Sequence, residues 1–255
     1  MNINPLSDGH IHTRFCHHAV GTMEEYVTAA IVKGMRRICF LEHMEEGIQS
    51  SRITWLSEAD FDEYFRLGKT LQKKYEGNIT IDLGVEVGYN PECPDRLLER
   101  LAARHWDQIG ISYHFHRLQA DEDHFNVVSK RDRRLFNLGL EEAEEIQRQY
   151  YLLLNEAVQI LPGTLLCHMD GVLRFYPKRA HLAPPWDLID QLLETVAERD
   201  ITLELNTSGI NIRGEAFPGK EIRTRAEEKG IVFQAGSDAH RPEDIGFYFE
   251  RYVGT

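Results

Sequence analysis

Imidazoles crowd the segment Asp8-Gly9-His10-Ile11-His12-Thr13-Arg14-Phe15-Cys16-His17-His18, which follows a short apolar run over residues 3–6. His10 and His12 are two apart, so on an extended strand both rings point to one face. A third imidazole, His18, stands six residues after His12. Neutral imidazoles grouped in this way suit zinc, iron(II) or manganese, which also take carboxylate oxygens. The stretch is half of a metal site, and the chain has to supply the remaining ligands elsewhere.

It supplies them at regular places. Six further β-rich runs end in polar groups: 37–41 in Glu42-His43, 79–85 in Glu86, 108–113 in His114, 165–167 in His168, 201–205 in Asn206, and 231–236 in Ser237-Asp238-Ala239-His240. Polar residues follow strands wherever loops begin. That accounts for one or two such positions, not for histidine or carboxylate at nearly every one. A cluster of this size exceeds the needs of one ion. It would polarise a phosphoryl oxygen and bring the pKa of bound water toward neutrality. Glu86 is the natural bridge, since a carboxylate can offer one oxygen to each of two cations.

Helical patterns separate these runs. Thr22 and Glu25 make a capping box for a helix that stops at Gly34. Others span about 60–75, from Pro94 through Leu101, and about 141–160, 186–199 and 219–229. Helices between strands enforce parallel pairing, which puts every strand C-terminus at one end of the sheet. In a closed barrel these ends converge on one mouth. The expected fold class is therefore α/β, with seven parallel strands. No repeat, low-complexity tract or linker divides the chain, so residues 1–255 are expected to form a single domain. The polar segment 115–140 is too long for an ordinary connection and is expected to be a substrate-covering loop or partly helical lid.

Composition narrows the partners. A formal net charge of −12 over 255 residues argues against nucleic acid, whose phosphates need a basic surface. A small anionic substrate stays compatible, because bound divalent cations reverse the local field. The four cysteines, Cys16, Cys39, Cys93 and Cys167, form no C-x-x-C pair. Disulfides are not expected, and a reducing compartment is. No signal-like segment or membrane-length apolar run is present, so the expected location is the cytoplasm, with no membrane partner.

At this point the chain resembles the polymerase-and-histidinol-phosphatase (PHP) superfamily, and within it the metal-dependent histidinol-phosphate phosphatases. The motifs that carry the resemblance are D-G-H-I-H-T-R-F-C-H-H (8–18), E-H (42–43), G-V-E-V (84–87) and S-Y-H-F (112–115). The later ones are H-M-D-G-V-L-R-F (168–175), L-E-L-N-T-S-G (203–209) and G-S-D-A-H-R-P-E-D-I-G (236–246). The last two are the most specific.

The resemblance implies a distorted, TIM-like seven-stranded barrel with up to three divalent transition metals, whether zinc, manganese or iron. It implies a first metal on His10, His12, Glu86 and Asp238, and a second on Glu86, His114 and His168. A third would sit on His18, His43 and His240. His17 stands where a proline is usual, leaving His17 and His18 as alternatives; the spacing from His12 favours His18. Leu41 replaces a frequent Thr, and Gly88 a frequent Asp. The implied reaction is hydrolysis of L-histidinol phosphate in histidine biosynthesis, with Asp238, Glu86 and Arg174 as the catalytic set. Alternatives are another phosphatase of the superfamily acting on a nucleotide or sugar phosphate, a proofreading exonuclease, and a non-catalytic metal-binding domain.

Several residues have two readings. Arg174 can form a bidentate phosphate contact, as can Arg14, Arg117 and Arg213 with less support. Asp8 is expected to orient an imidazole from behind. His116 can hold a leaving group, although a solvated loop histidine is the preferred reading. His105, His124 and His181 are expected at the surface. Glu45, Glu46, Asp121 and Asp123 are solvated loop carboxylates or contacts for a cationic amine or imidazole on the substrate.

Overall fold

A computed structural model describes residues 3–119, 121–129, 131–132, 134–174 and 182–253; His181 lies outside the described residues. The first strand, β1 (Ser7–Ile11), pairs in parallel with β2 (Arg37–Met44), which pairs with β3 (Thr80–Gly88) and then β4 (Ile109–Ser112). Two short strands, β5 (Phe115–His116) and β6 (Phe125–Asn126), form a separate antiparallel pair. The main sheet continues through β7 (Leu165–Leu166), β8 (Thr202–Asn206) and β9 (Phe233–Gly236), so its seven strands follow chain order. A parallel bridge from Ile11 to Ala239 brings the last strand back beside the first. The result is a nearly closed barrel, in which the helices between strands account for the parallel pairing.

The helices start and stop where local chemistry dictates. In α1 (Met23–Val32), the Thr22 hydroxyl and Glu25 carboxylate cap each other's backbone N–H. Helix α2 (Glu58–Lys74) begins slightly before the expected position, because Ser57 and Asp60 form a second capping box. Pro94 opens α3 (Pro94–Ala102) at a position where its missing N–H costs nothing. The longest helix, α5 (Leu140–Ile160), buries Ala143, Ile146, Tyr150, Leu154, Ala157 and Val158 along one stripe. That stripe lies against β4 and α6 (Trp186–Glu198). Strands β3 and β2 are buried almost throughout, as parallel strands between a core and a helical layer must be. Among the described residues, no helix is long and apolar enough to cross a membrane.

The segment expected as a lid has more structure than its sequence suggests. It contains the β5–β6 pair and a four-residue helix, α4 (Arg134–Asn137). The Arg134 guanidinium lies over the Phe125 ring and donates to the carbonyls of Asp123 and His124. This folding corrects two expectations. His116 is buried rather than solvated, with its Nδ1 2.9 Å from the Tyr113 hydroxyl. His124 is also buried: its Nδ1 accepts from the Gln49 N–H, and its own N–H donates to the Gln49 carbonyl. His105 is exposed, as expected.

Candidate metal centre

Residues from β1, β2, β3, β4, β7 and β9, or from the turns just beyond them, meet at the C-terminal mouth of the barrel. The β2–β3 register places His43 directly beside Glu86. His168 and Asp238 follow their strands with backbone φ of 21° and 52°, in the left-handed region that side chains disfavour. Strain of this kind at two polar residues that line one mouth is a mark of a functional site.

The donor atoms fall into three groups. Around the first, His10 Nε2 and His12 Nε2 are 2.9 Å apart, and each lies 3.4 Å from Glu86 Oε2. Asp238 Oδ1 is 3.4 Å from His12 Nε2 and 3.9 Å from His10 Nε2. The other Glu86 oxygen, Oε1, faces His168 Nε2 at 2.8 Å and His114 Nε2 at 3.1 Å. In the third group His18 Nε2 and His240 Nε2 are 2.8 Å apart; His43 stands between the first and third groups, its ring 4.2 Å from His12 and 5.4 Å from His18 between centroids and its Nδ1 2.9 Å from Glu86 Oε2. His17 is exposed and turns away in a left-handed conformation, so His18 is the imidazole that reaches the cluster.

Atoms behind the rings fix which nitrogen faces inward. His10 Nδ1 is 2.7 Å from Glu204 Oε1, His114 Nδ1 is 2.7 Å from Glu45 Oε1, and His18 Nδ1 is 2.7 Å from the Cys16 carbonyl. His240 Nδ1 lies 2.9 Å from the Asp238 carbonyl. An Nδ1 that donates to such an acceptor leaves Nε2 with its lone pair aimed at the centre. Two lone pairs 2.9 Å apart repel unless a cation or a proton lies between them. Glu86 Oε2 is buried without a hydrogen-bond partner. The donor set is therefore one that divalent transition metals fit.

The electrostatics agree. Burial pushes the Glu86 carboxyl up, but His114, His10 and His43 outweigh it and hold its pKa well below the usual value. Asp238 is held low in the same way, with Arg174 the first counterweight to burial. Burial lowers His18 to about 4, and burial with the nearby His12 lowers His240 to about 3. For His12, the nearby carboxylates of Asp238, Glu42 and Glu86 outweigh burial and raise it to about 10. His114 is likewise raised to about 10, by Glu86 and Glu45 against the effect of burial.

Arg174 reaches the centre from the far wall. Its Nη2 is 2.7 Å from both Asp238 Oδ2 and Ser208 Oγ, and its guanidinium lies over Phe217. A cavity of about 980 Å³ opens above the cluster, and Arg52, Arg131, Arg134, Arg174 and Arg241 all line it. Arg14, Arg117 and Arg213 are not on its wall: Arg14 is exposed, Arg117 pairs with Glu92, and Arg213 donates to the Leu173 carbonyl.

Several expected roles change. Asp8 orients no imidazole; it accepts from the backbone N–H groups of His10, Ser237 and Gly246, tying the end of β1 to the turn after β9. Glu45 is buried against His114, while Glu46 pairs with Arg96 and Arg100. Neither faces the cavity, so the loop after β2 does not present acids to a cationic substrate. Asp121 and Asp123 are exposed, and only Asp123 lines the cavity. Asn206 donates to Glu204 and, at 3.4 Å, to Asp238 Oδ2, and accepts from Ser208. Glu204, which holds His10, and Glu42, whose Oε2 lies 3.9 Å from His12 Nδ1, escaped the sequence reading, although both lie inside motifs singled out there. Glu42 accepts from both the N–H and the hydroxyl of Thr13.

A parallel barrel with a histidine–carboxylate cluster at its C-terminal mouth defines a metal-dependent hydrolase architecture. The chain belongs to the PHP domain family, whose pattern matches residues 8–208. It is 29% identical over 245 residues to a protein of Deinococcus radiodurans named a probable histidinol-phosphatase, covering 96% of this chain and 90% of that one. The histidinol-phosphatase of Bacillus subtilis is 27% identical, covering 96% of this chain and 97% of the relative. The crystal structure of histidinol phosphate phosphatase from Lactococcus lactis, complexed with zinc, L-histidinol and phosphate, superposes with a TM-score of 0.74 at 21% identity. That match covers 92% of this chain and 86% of the Lactococcus chain and bears on the fold.

Proposed function

We propose that this chain is a metal-dependent phosphomonoesterase that hydrolyses L-histidinol phosphate to L-histidinol and phosphate, in the cytoplasm and as a single 255-residue domain. The observation that carries the reading is Glu86, whose two oxygens serve two different imidazole groups. Up to three ions, of zinc, manganese or iron, would be held by His10, His12, Glu86 and Asp238, by Glu86, His114 and His168, and by His18, His43 and His240. When bound, divalent cations polarise a phosphoryl oxygen and make water a competent nucleophile near neutral pH.

The chain's own groups complete the site. Glu86 and Asp238 stay ionised and supply the negative charge that retains cations in the mouth. Glu204 and Glu45 hold His10 and His114 in the tautomer that turns Nε2 inward. Arg174, beside Asp238, offers N–H donors to a phosphate oxygen and offsets the charge that builds on phosphorus. The other cavity arginines draw an anionic substrate to the mouth. The names of the relatives and the ligands of the Lactococcus structure support histidinol phosphate as the substrate.

Phosphate release from a panel of phosphomonoesters tests the reading. Histidinol phosphate should exceed p-nitrophenyl phosphate, sugar phosphates and nucleoside monophosphates in kcat/KM by roughly a hundredfold, or about 3 kcal/mol. A flat profile or a nucleotide preference would overturn the substrate assignment.

A further inference from the structure

Glu45 follows directly on β2, is 3% exposed, and has one oxygen, Oε1, 2.7 Å from His114 Nδ1. Its other oxygen is buried without a hydrogen-bond partner. Burying a carboxylate is costly, so one that persists in this state needs a compensating interaction. The His114 ring supplies it, and on its inward side His114 Nε2 faces Glu86 Oε1.

Room for this carboxylate comes from the neighbouring strand. Gly88, the last residue of β3, is buried, and a Cβ placed there would fall on the Glu45 carboxylate. Any side chain at 88 would expel Glu45 from behind the ring. The same arrangement recurs across the barrel. Glu204 Oε1 holds His10 Nδ1 at 2.7 Å, and a Cβ at Gly236 would fall on that oxygen. Two glycines thus clear space for two buried carboxylates, each gripping a ring whose Nε2 points toward Glu86.

We propose that Glu45 is a positioning residue for His114, and that Gly88 is the space that admits it. The proposal rests on reading the cluster as a metal centre. An acceptor at Nδ1 fixes the tautomer and makes Nε2 a stronger donor toward a cation, and loss of such a partner typically weakens metal binding about 10–100-fold. An aspartate at 88 would start its side chain where the Glu45 carboxylate now ends. It would therefore deliver an acid to the same Nδ1 from β3 instead of β2.

The test is a zinc titration of the full chain against a competing chelator, with circular dichroism to confirm folding. Glu45→Ala should bind zinc roughly tenfold or more weakly than wild type. Gly88→Asp alone should also weaken binding, because two acids then contest one space. The double variant Glu45→Ala/Gly88→Asp should bind at least about tenfold more tightly than Glu45→Ala, a rescue that a merely structural role would not produce. Where Glu45→Ala fails to fold, the size-matched Glu45→Met, which offers His114 Nδ1 no oxygen acceptor, carries the test, and wild-type affinity in that variant overturns the proposal. Unchanged affinity in folded Glu45→Ala, or a double variant no tighter than Glu45→Ala, overturns it as well. A wild-type chain that takes up no zinc overturns the metal reading and this proposal with it.

Discussion

The Nε2 atoms of His10 and His12 lie 2.9 Å apart in the buried mouth of the barrel, with the Nδ1 of His10 already held by Glu204. Neither ring can retreat: His10 and His12 have no exposed surface, and the turn after His12 is pinned by Glu42 through Thr13. The pair is stable only with a proton or a cation between the two nitrogens. A divalent cation would engage both lone pairs at once.

Metal loading should therefore stabilise the fold. Protein purified without chelator should contain at least two transition-metal equivalents. Stripping it should lower stability by an amount set by affinity, about 4 kcal/mol for a ligand present at a thousand times its Kd. Thermal melts with and without chelator, alongside elemental analysis, measure this. Full activity with no more than one ion would contradict it.

Glu86 faces two imidazole groups, whereas among the described residues His43 has one carboxylate neighbour within ion-pair range, Glu86 itself at 2.9 Å. Glu86→Ala should accordingly lose more metal and more activity than His43→Ala. Equal metal loss in the two purified variants would show that Glu86 does not bridge.

Proton release should accompany metal uptake. His12 and His114 are raised to about 10, so in the metal-free chain both are protonated at neutral pH, and a cation must displace those protons. Affinity should rise as pH rises toward about 10. His18 and His240, lowered to about 4 and about 3, are already neutral at pH 7 and add nothing to this slope. Calorimetry at pH 7 in buffers of different ionisation enthalpy counts the released protons; a count of zero would refute the assignment.

Arg174→Ala should separate chemistry from metal binding. The guanidinium touches Asp238 and Ser208 from the cavity side. Its loss should cost about 10²–10³ in kcat, in the range seen when a transition-state donor is removed, while bound metal falls far less. Arg174→Lys should recover only part of the activity, because an ammonium cannot reproduce the planar fork. A variant whose activity falls only in step with its metal content would assign Arg174 to metal retention.

The sequence by itself determined the strand-and-helix alternation and the side chains that end each strand. Both are local: a capping box needs Thr22 and Glu25 three residues apart, and His10 and His12 share a face because strand side chains alternate. The burial of His116 and His124 was not legible, because it depends on how a loop packs after the barrel has closed. Nor could Glu45 and Glu204 be recognised as the groups behind His114 and His10, since those partners lie 69 and 194 residues away along the chain. Strand register brings them together, and burial decides the rest. A carboxylate beside an imidazole is a solvated charge on a loop, but in the closed mouth of a barrel it orients the ring, and only the tertiary structure says which of the two it is.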